Sequence, residues 1–219
     1  MYGLSLVWQE RSLLLDGIWQ TLHIATLSLL FSLLAGLVLG FLRYIKNPII
    51  DLMARFHLES FRIIPLMVWL FATFFTLPTF FGFRISGHNA AILVFSLWGA
   101  AEMGEMVRGA LISLPKIQKE SGTALGLSGI QLFVYILLPQ ALRRLLPGII
   151  NMSSRLIKTS SMASLVGVID VIRRGVQIIE RTAQPLAIYT FIFFLFFFLC
   201  WPLSLFSQHL EKKMAKGGG

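Results

Sequence analysis

The 219-residue chain is 56% hydrophobic and only 13% charged, where soluble chains run at roughly 45–50% and about 25%, and its mean hydropathy is +0.78. These proportions exclude an ordinary soluble catalytic domain and describe an integral membrane protein. Nineteen Lys and Arg against ten Asp and Glu give a formal net charge of +9, but the basic residues punctuate long apolar runs and form no arm or stripe, which argues against a nucleic-acid ligand.

Residues 1–19 lack a basic n-region, a compact apolar core and a small-residue cleavage site, so they read as a short extracytoplasmic segment and not as a cleaved signal peptide. Each helical crossing of a bilayer core about 30 Å thick needs about 20 residues. Apolar runs of that kind occupy 20–42, 63–81, 90–112 and 186–206. Another span is expected between 113 and 185. The stretch 130–138 is apolar but short and stops at Pro139, whereas 146–169 is long enough although it carries Arg155 and Lys158. The longer one is taken as the span, because polar groups are tolerable where they face other helices or water. The expected fold is therefore all-α, with five transmembrane helices and the termini on opposite sides. Residues 207–219 read as a tail, with Lys216-Gly-Gly-Gly as a flexible end or an appended scar.

Within the first span, Gly36 and Gly40 have the spacing that lets helices approach closely. Glycine is also common in membrane helices, and lipid-facing flexibility is the expectation here. The Phe-rich block 191–198 is bulky on every face, as a lipid-exposed helix would be. Placing the N-terminus outside gives eleven Lys and Arg in the cytoplasmic pieces 43–62, 113–145 and 207–219 against five in the outer ones, the bias that translocation favours. Cys200 is the only cysteine, and the four histidines His23, His57, His88 and His209 are scattered. No internal disulfide, metal site or catalytic residue is expected. Glu102, Glu105 and Arg108 recur every three residues and share one helix face. Glu105 and Arg108 form a natural pair. Glu102 is left to pair with Arg155 or Lys158 or to receive a substrate ammonium.

The connection 113–145 carries the most information. Pro115 suits a first helical turn, a short helix runs to about Leu125 with Ile117, Ser121, Ala124 and Leu125 on one face, and Gly126 is placed to end it in a left-handed cap. Its exposed face is expected to mix Ser121 and Gly122 with Lys119 and Glu120. Ser128 and Gln131 form a capping box for a second helix. Such a helix is marginal alone in water; docking to a partner and lying on the membrane surface are both open on these grounds.

The run from Glu105 through Arg108-Gly-Ala-Leu-Ile-Ser-Leu-Pro-Lys-Ile-Gln-Lys-Glu-Ser-Gly-Thr-Ala-Leu-Gly126, with Leu138-Pro-Gln-Ala-Leu-Arg and Pro147, resembles the EAA loop of ABC-importer permeases, in particular the polar amino acid uptake branch. Phe61-Arg-Ile-Ile-Pro-Leu, Leu77-Pro and Lys158-Thr-Ser-Ser-Met extend the resemblance over about 20–211. It implies a type I importer permease in the bacterial inner membrane, N-terminus outside and C-terminus cytoplasmic. It also implies that Glu120, Ser121, Gly122 and Gly126 couple the membrane helices to a cytoplasmic ATPase, with Glu102, Glu105 and Lys158 as candidates on the substrate path. The implied partners are that ATPase, which binds ATP and Mg²⁺, a second permease subunit that is identical or paralogous, and an extracytoplasmic binding protein delivering a polar amino acid. Four positions depart from the pattern: Ser121-Gly122 replaces two alanines, Thr159 stands where Asp often follows the lysine, and Trp69 stands where Gln is common. The chain has no G-x-x-x-x-G-K-[ST] phosphate loop of its own. A secondary transporter or channel working without an ATPase is the competing reading, and an integral membrane enzyme is disfavoured by the histidine spacing.

Overall fold

A computed structural model of the chain describes residues 2–44 and 47–216, and every regular element among them is helical. Helix α1 (Tyr2–Gln9) leads into the long α2 (Arg11–Tyr44), which contains the first expected span. Asn47 caps α3 (Pro48–Ile63), its side chain accepting the Ile49 and Ile50 amides at 3.0 and 3.3 Å. Pro65 ends it by forcing Ile64 to an extended conformation. Helix α4 (Leu66–Phe71), a wide turn at Ala72–Thr76 and α5 (Leu77–Phe81) follow as one run, and that run meets α3 at 105°. Ser86 caps α6 (Gly87–Ile112).

The second span thus differs from the expected 63–81. Among the described residues four helices are long and apolar enough to cross a membrane, and α3 with the Leu66–Phe81 run makes a fifth if the two count as one broken crossing. His57 Nε2 lies 3.0 Å from the Leu97 carbonyl, and Arg43, which pairs with Asp51 of α3, also reaches Glu105 of α6. Moving up α3 from Asp51 to His57 therefore means moving back along α6 from Glu105 to Leu97, so the two helices run antiparallel side by side. Arg55, Glu59 and Arg62 interrupt the apolar run of α3 and shift the hydropathy signal downstream.

Beyond α7 (Lys116–Ala124) come α8 (Gly129–Leu132), a wide turn at Phe133–Leu137, and α9 (Leu138–Thr159). These form a continuous helical span over Gly129–Val166. The expected start at 146 and the stop at Pro139 are both corrected. A wide turn precedes Pro139, as another precedes Pro78. Such a turn accommodates a proline ring that would clash with the regular i−4 carbonyl. A 3₁₀ turn (Ser160–Val166) leads to α10 (Val171–Thr182) and then to α11 (Pro185–Lys216). Residues from 207 onward are thus helical as far as Lys216 and not a tail; the expected Gly217–Gly219 end lies outside the described residues.

The core forms where α2 and α6 pack along their lengths, with α9 closing the third side; Ile24, Phe95, Met103, Met152 and Leu156 are fully buried there. Gly36 and Gly40 belong to this contact and do not face lipid. A Cβ on Gly40 would lie 2.6 Å from the Gly104 carbonyl oxygen, and one on Gly36 would lie 2.8 Å from Met103 Cγ. A smaller core joins α1, the start of α2, α10 and α11 around Leu14, Ile178 and Ile188. On α11, Phe193, Phe194, Phe197 and Phe198 are exposed, whereas Phe191 and Phe196 pack against that smaller core, so only part of the Phe block is outward-facing.

Asp170 caps α10 by accepting the Arg173 amide at 2.9 Å through Oδ1, while Oδ2 is buried without a hydrogen-bond partner. Burial pushes this carboxyl from the usual 3.8 up to about 6. The folded state therefore holds the proton more tightly. That stabilisation is complete below pH 3.8 and is lost as pH rises through about 6. Acidifying from pH 7 to 5 should add about 1 kcal/mol of stability through this group. The check is a melting-temperature comparison with Asp170→Asn, which keeps the cap and should remove this component of the pH dependence.

Candidate functional site

Pro115 opens α7 and Gly126 ends it at φ +79°, the Gly126 amide donating to the Thr123 carbonyl and Leu127 to that of Gly122. Only glycine adopts this backbone without strain. The expected capping box is present, with Ser128 Oγ accepting from the Gln131 amide and Gln131 Oε1 from that of Ser128. Three features fix the loop to the membrane body. Arg144 Nη1 donates to both the carbonyl and the hydroxyl oxygen of Ser113 at 2.8 Å, Gln140 Nε2 donates to Gln118 Oε1 at 3.3 Å, and Gly122 packs on Leu132.

Gly122 is therefore corrected from the exposed face to the buried one. A Cβ there would press on Leu132 Cδ1 and approach Ile136 Cδ1 at 3.3 Å, so the missing side chain is what lets α7 seat. Everything else expected of the helix points outward. Lys119, Glu120 and Ser121 are exposed, and with them Ile117 (62%) and Leu125 (79%). The outward face of α7 thus sets two large aliphatic side chains beside the Glu120 carboxylate.

The membrane charges separate into two groups. Glu105 accepts from Arg108 Nε at 3.1 Å through one oxygen and from Arg43 through the other; Arg43 Nε also reaches Asp51 Oδ1 at 3.1 Å, and Arg55 Nε reaches Asp51 Oδ2 at 2.7 Å. With both oxygens engaged, Glu105 ties α6 to α2 through Arg43, which in turn reaches Asp51 of α3. Arg43 and Asp51 were not singled out in the sequence; the legible signal was a lone cation in the last turn of an apolar helix, next to an acid in the first turn of another. Glu102 pairs with Arg155 Nη1 at 2.9 Å, and the guanidinium lies 4.8 Å over the Trp98 ring. Lys158 is exposed and pairs with no carboxylate among the described residues. Arg155 and Lys158 line a groove of about 710 Å³ between α9 and α11, with Asn151, Ser154, Trp201 and Ser204.

Two further placements were not legible. His23 and His88 stack at 5.1 Å, with Trp19 stacked on His23. Trp69, at the departure from Gln, bridges the α3–α4 bend by donating to the Ser60 carbonyl at 3.3 Å and stacking on Phe61 at 4.7 Å.

A family model described as the binding-protein-dependent transport system inner membrane component matches residues 28–216. The chain belongs to that family. Among this permease's relatives, the glutamine transport system permease protein of Escherichia coli (strain K12) is 33% identical over 211 residues, covering 96% of each chain. The arginine transport system permease protein of Bacillus subtilis (strain 168) is 31% identical over 204 residues and 92% of each chain. The solved structure of an amino acid ABC transporter with histidines superposes with a TM-score of 0.87 at 25% identity, covering 96% of this permease and 97% of that chain. The all-helical importer-permease fold and the role of translocation subunit follow, and the competing channel or secondary-transporter reading finds no support in these relatives.

Proposed function

We propose that this permease carries a polar amino acid inward across the bacterial inner membrane, working with a second permease subunit, an extracytoplasmic binding protein and a separate cytoplasmic ATPase that binds ATP and Mg²⁺. The N-terminus faces outside and the C-terminus the cytoplasm, a reading supported by the distribution of Lys and Arg. The relatives transport glutamine or arginine by name, which supports an amino acid as cargo. One observation carries the coupling: α7 is tied down through Gln118 and Gly122 and offers Ile117, Glu120, Ser121 and Leu125 outward. A rigid knob of that kind transmits motion of an ATPase cleft to α6 on one side and α9 on the other. Gly126 sets its length. The groove lined by Arg155, with its partner Glu102, and by Lys158 is the candidate substrate path.

The test is Glu120→Lys in the reconstituted complex. Glu120 touches nothing in the permease that its loss would strand, so insertion and melting temperature should stay at wild-type values. Substrate-stimulated ATP hydrolysis and uptake should fall roughly tenfold, the size of one lost charge-assisted contact. Uptake at the wild-type rate would refute the coupling role.

A further inference from the structure

Arg155 and Lys158 occupy a helical run long and apolar enough to cross a membrane, yet the Arg155 side chain is 46% exposed. A cation turned toward lipid at that depth costs several kcal/mol. Ile192, Phe193, Phe196, Phe197 and Trp201 form the apolar wall of the groove that Arg155 and Lys158 line, so water or polar cargo must sit at its other side, where Asn151, Ser154 and Ser204 lie beside the two cations. Glu102 of α6 reaches this groove through Arg155, one of its lining residues. Glu211, farther along α11, is already engaged by Ser207 Oγ and Asn151 Nδ2, each at 3.4 Å. The Arg155 guanidinium is held between the Glu102 carboxylate and the Trp98 ring, so both its charge and its flat face have partners. Lys158, by contrast, has no carboxylate partner among the described residues.

We propose that Arg155 is a specificity-determining residue: by occupying Glu102 it excludes amino acids with cationic side chains and reserves the path for those with uncharged or acidic ones. This rests on the reading of the groove as the substrate path. A cationic side chain entering beside Lys158 and Arg155 would meet two cations, with the Glu102 carboxylate already engaged by Arg155. An uncharged or acidic amino acid brings a carboxylate to Lys158 and no additional cation. The Trp98 contact makes the block stable, since a guanidinium stacked on an indole and paired to a carboxylate is held in one orientation.

The experiment measures binding of labelled glutamine, glutamate and arginine to the permease assembled with its ATPase in lipid nanodiscs, without the binding protein, so that selection by that protein does not enter. Wild-type complex should bind arginine roughly tenfold or more weakly than glutamine. Arg155→Gln frees Glu102 and should shift the arginine-to-glutamine ratio roughly tenfold toward arginine; Glu102→Gln combined with Arg155→Gln should return it. An assembled Arg155→Gln complex with the wild-type ratio would overturn the proposal, as would a wild type that binds arginine as tightly as glutamine. Should Arg155→Gln fail to assemble, Glu102→Gln alone decides, because removing the carboxylate leaves the Arg155 charge unpaired: arginine should weaken and glutamate tighten, and no change in their ratio rejects the assignment. ATP-dependent uptake by the full system separates the two readings. If no amino acid is transported, the functional reading fails; if uptake proceeds with unaltered selectivity in the variants, only the role of Arg155 fails.

Discussion

Gly40→Ala should lower the unfolding free energy of this permease by about 2 kcal/mol, while Gly109→Ala, on the other helix of the same contact, should raise it by about 0.5–1 kcal/mol. The two substitutions add the same methyl group to a helix interior. At Gly109 nothing lies within 4 Å of the new Cβ, so only the gain in helix propensity is felt. At Gly40 the methyl meets the Gly104 carbonyl oxygen at 2.6 Å and the Val107 side chain. A carbonyl cannot rotate away as a side chain does, so α2 and α6 must separate, and the dispersion contacts along their shared length weaken together. Thermal unfolding of the purified protein in lipid or detergent gives the sign directly. A Gly40→Ala protein as stable as wild type would mean that the two helices do not meet there.

Arg43→Met should cost about 2 kcal/mol and loosen α3 from α6. The Arg43 side chain is 7% exposed and lies between Asp51 and Glu105, which it joins across three helices. Removing one partner of a fully buried ion pair typically costs about 3–5 kcal/mol. Here each acid keeps a second cation, Arg55 for Asp51 and Arg108 for Glu105, which reduces the penalty. Methionine preserves most of the side-chain volume, so the loss reports charge and not a cavity. A double-mutant cycle with Glu105→Gln should return a coupling energy of at least about 1 kcal/mol. Additivity within about 0.3 kcal/mol would dissolve the latch. Because α3 leads into the bend at Pro65, transport should decline with it even though no residue of the groove has changed.

The limits of the sequence reading are clearest at α3 and at Gly122. Hydropathy locates a segment by its own transfer free energy, and α2, α6 and α11 are apolar enough along their length to be found that way. Helix α3 is not, because Arg55, Glu59 and Arg62 lie on it, and the apolar signal shifted to the run after Pro65. Pro139 looked like a stop because a regular helix has no room for its ring; the wide turn ahead of it supplies that room. In the connection 113–145, local rules sufficed for Pro115, Gly126 and the Ser128–Gln131 box, since caps and left-handed turns depend on a few neighbouring atoms. Gly122 required knowing where Leu132 would lie.

By itself, the sequence determined that this chain is a helical membrane protein, where three of its long helices run, how α7 begins and ends, and to which kind of importer it belongs. Each of these rests on composition, hydropathy or short-range stereochemistry, in which a residue's neighbours along the chain decide the outcome. The tertiary structure alone decided that Gly36 and Gly40 are packing surfaces, that Glu105 is locked by Arg43, and that Glu102 faces Arg155 and not Lys158. A charge or a glycine in a membrane helix acquires its meaning from what lies opposite it, and those partners lie 53 residues or more apart in sequence for the ion pairs between α2 and α6 and between α6 and α9.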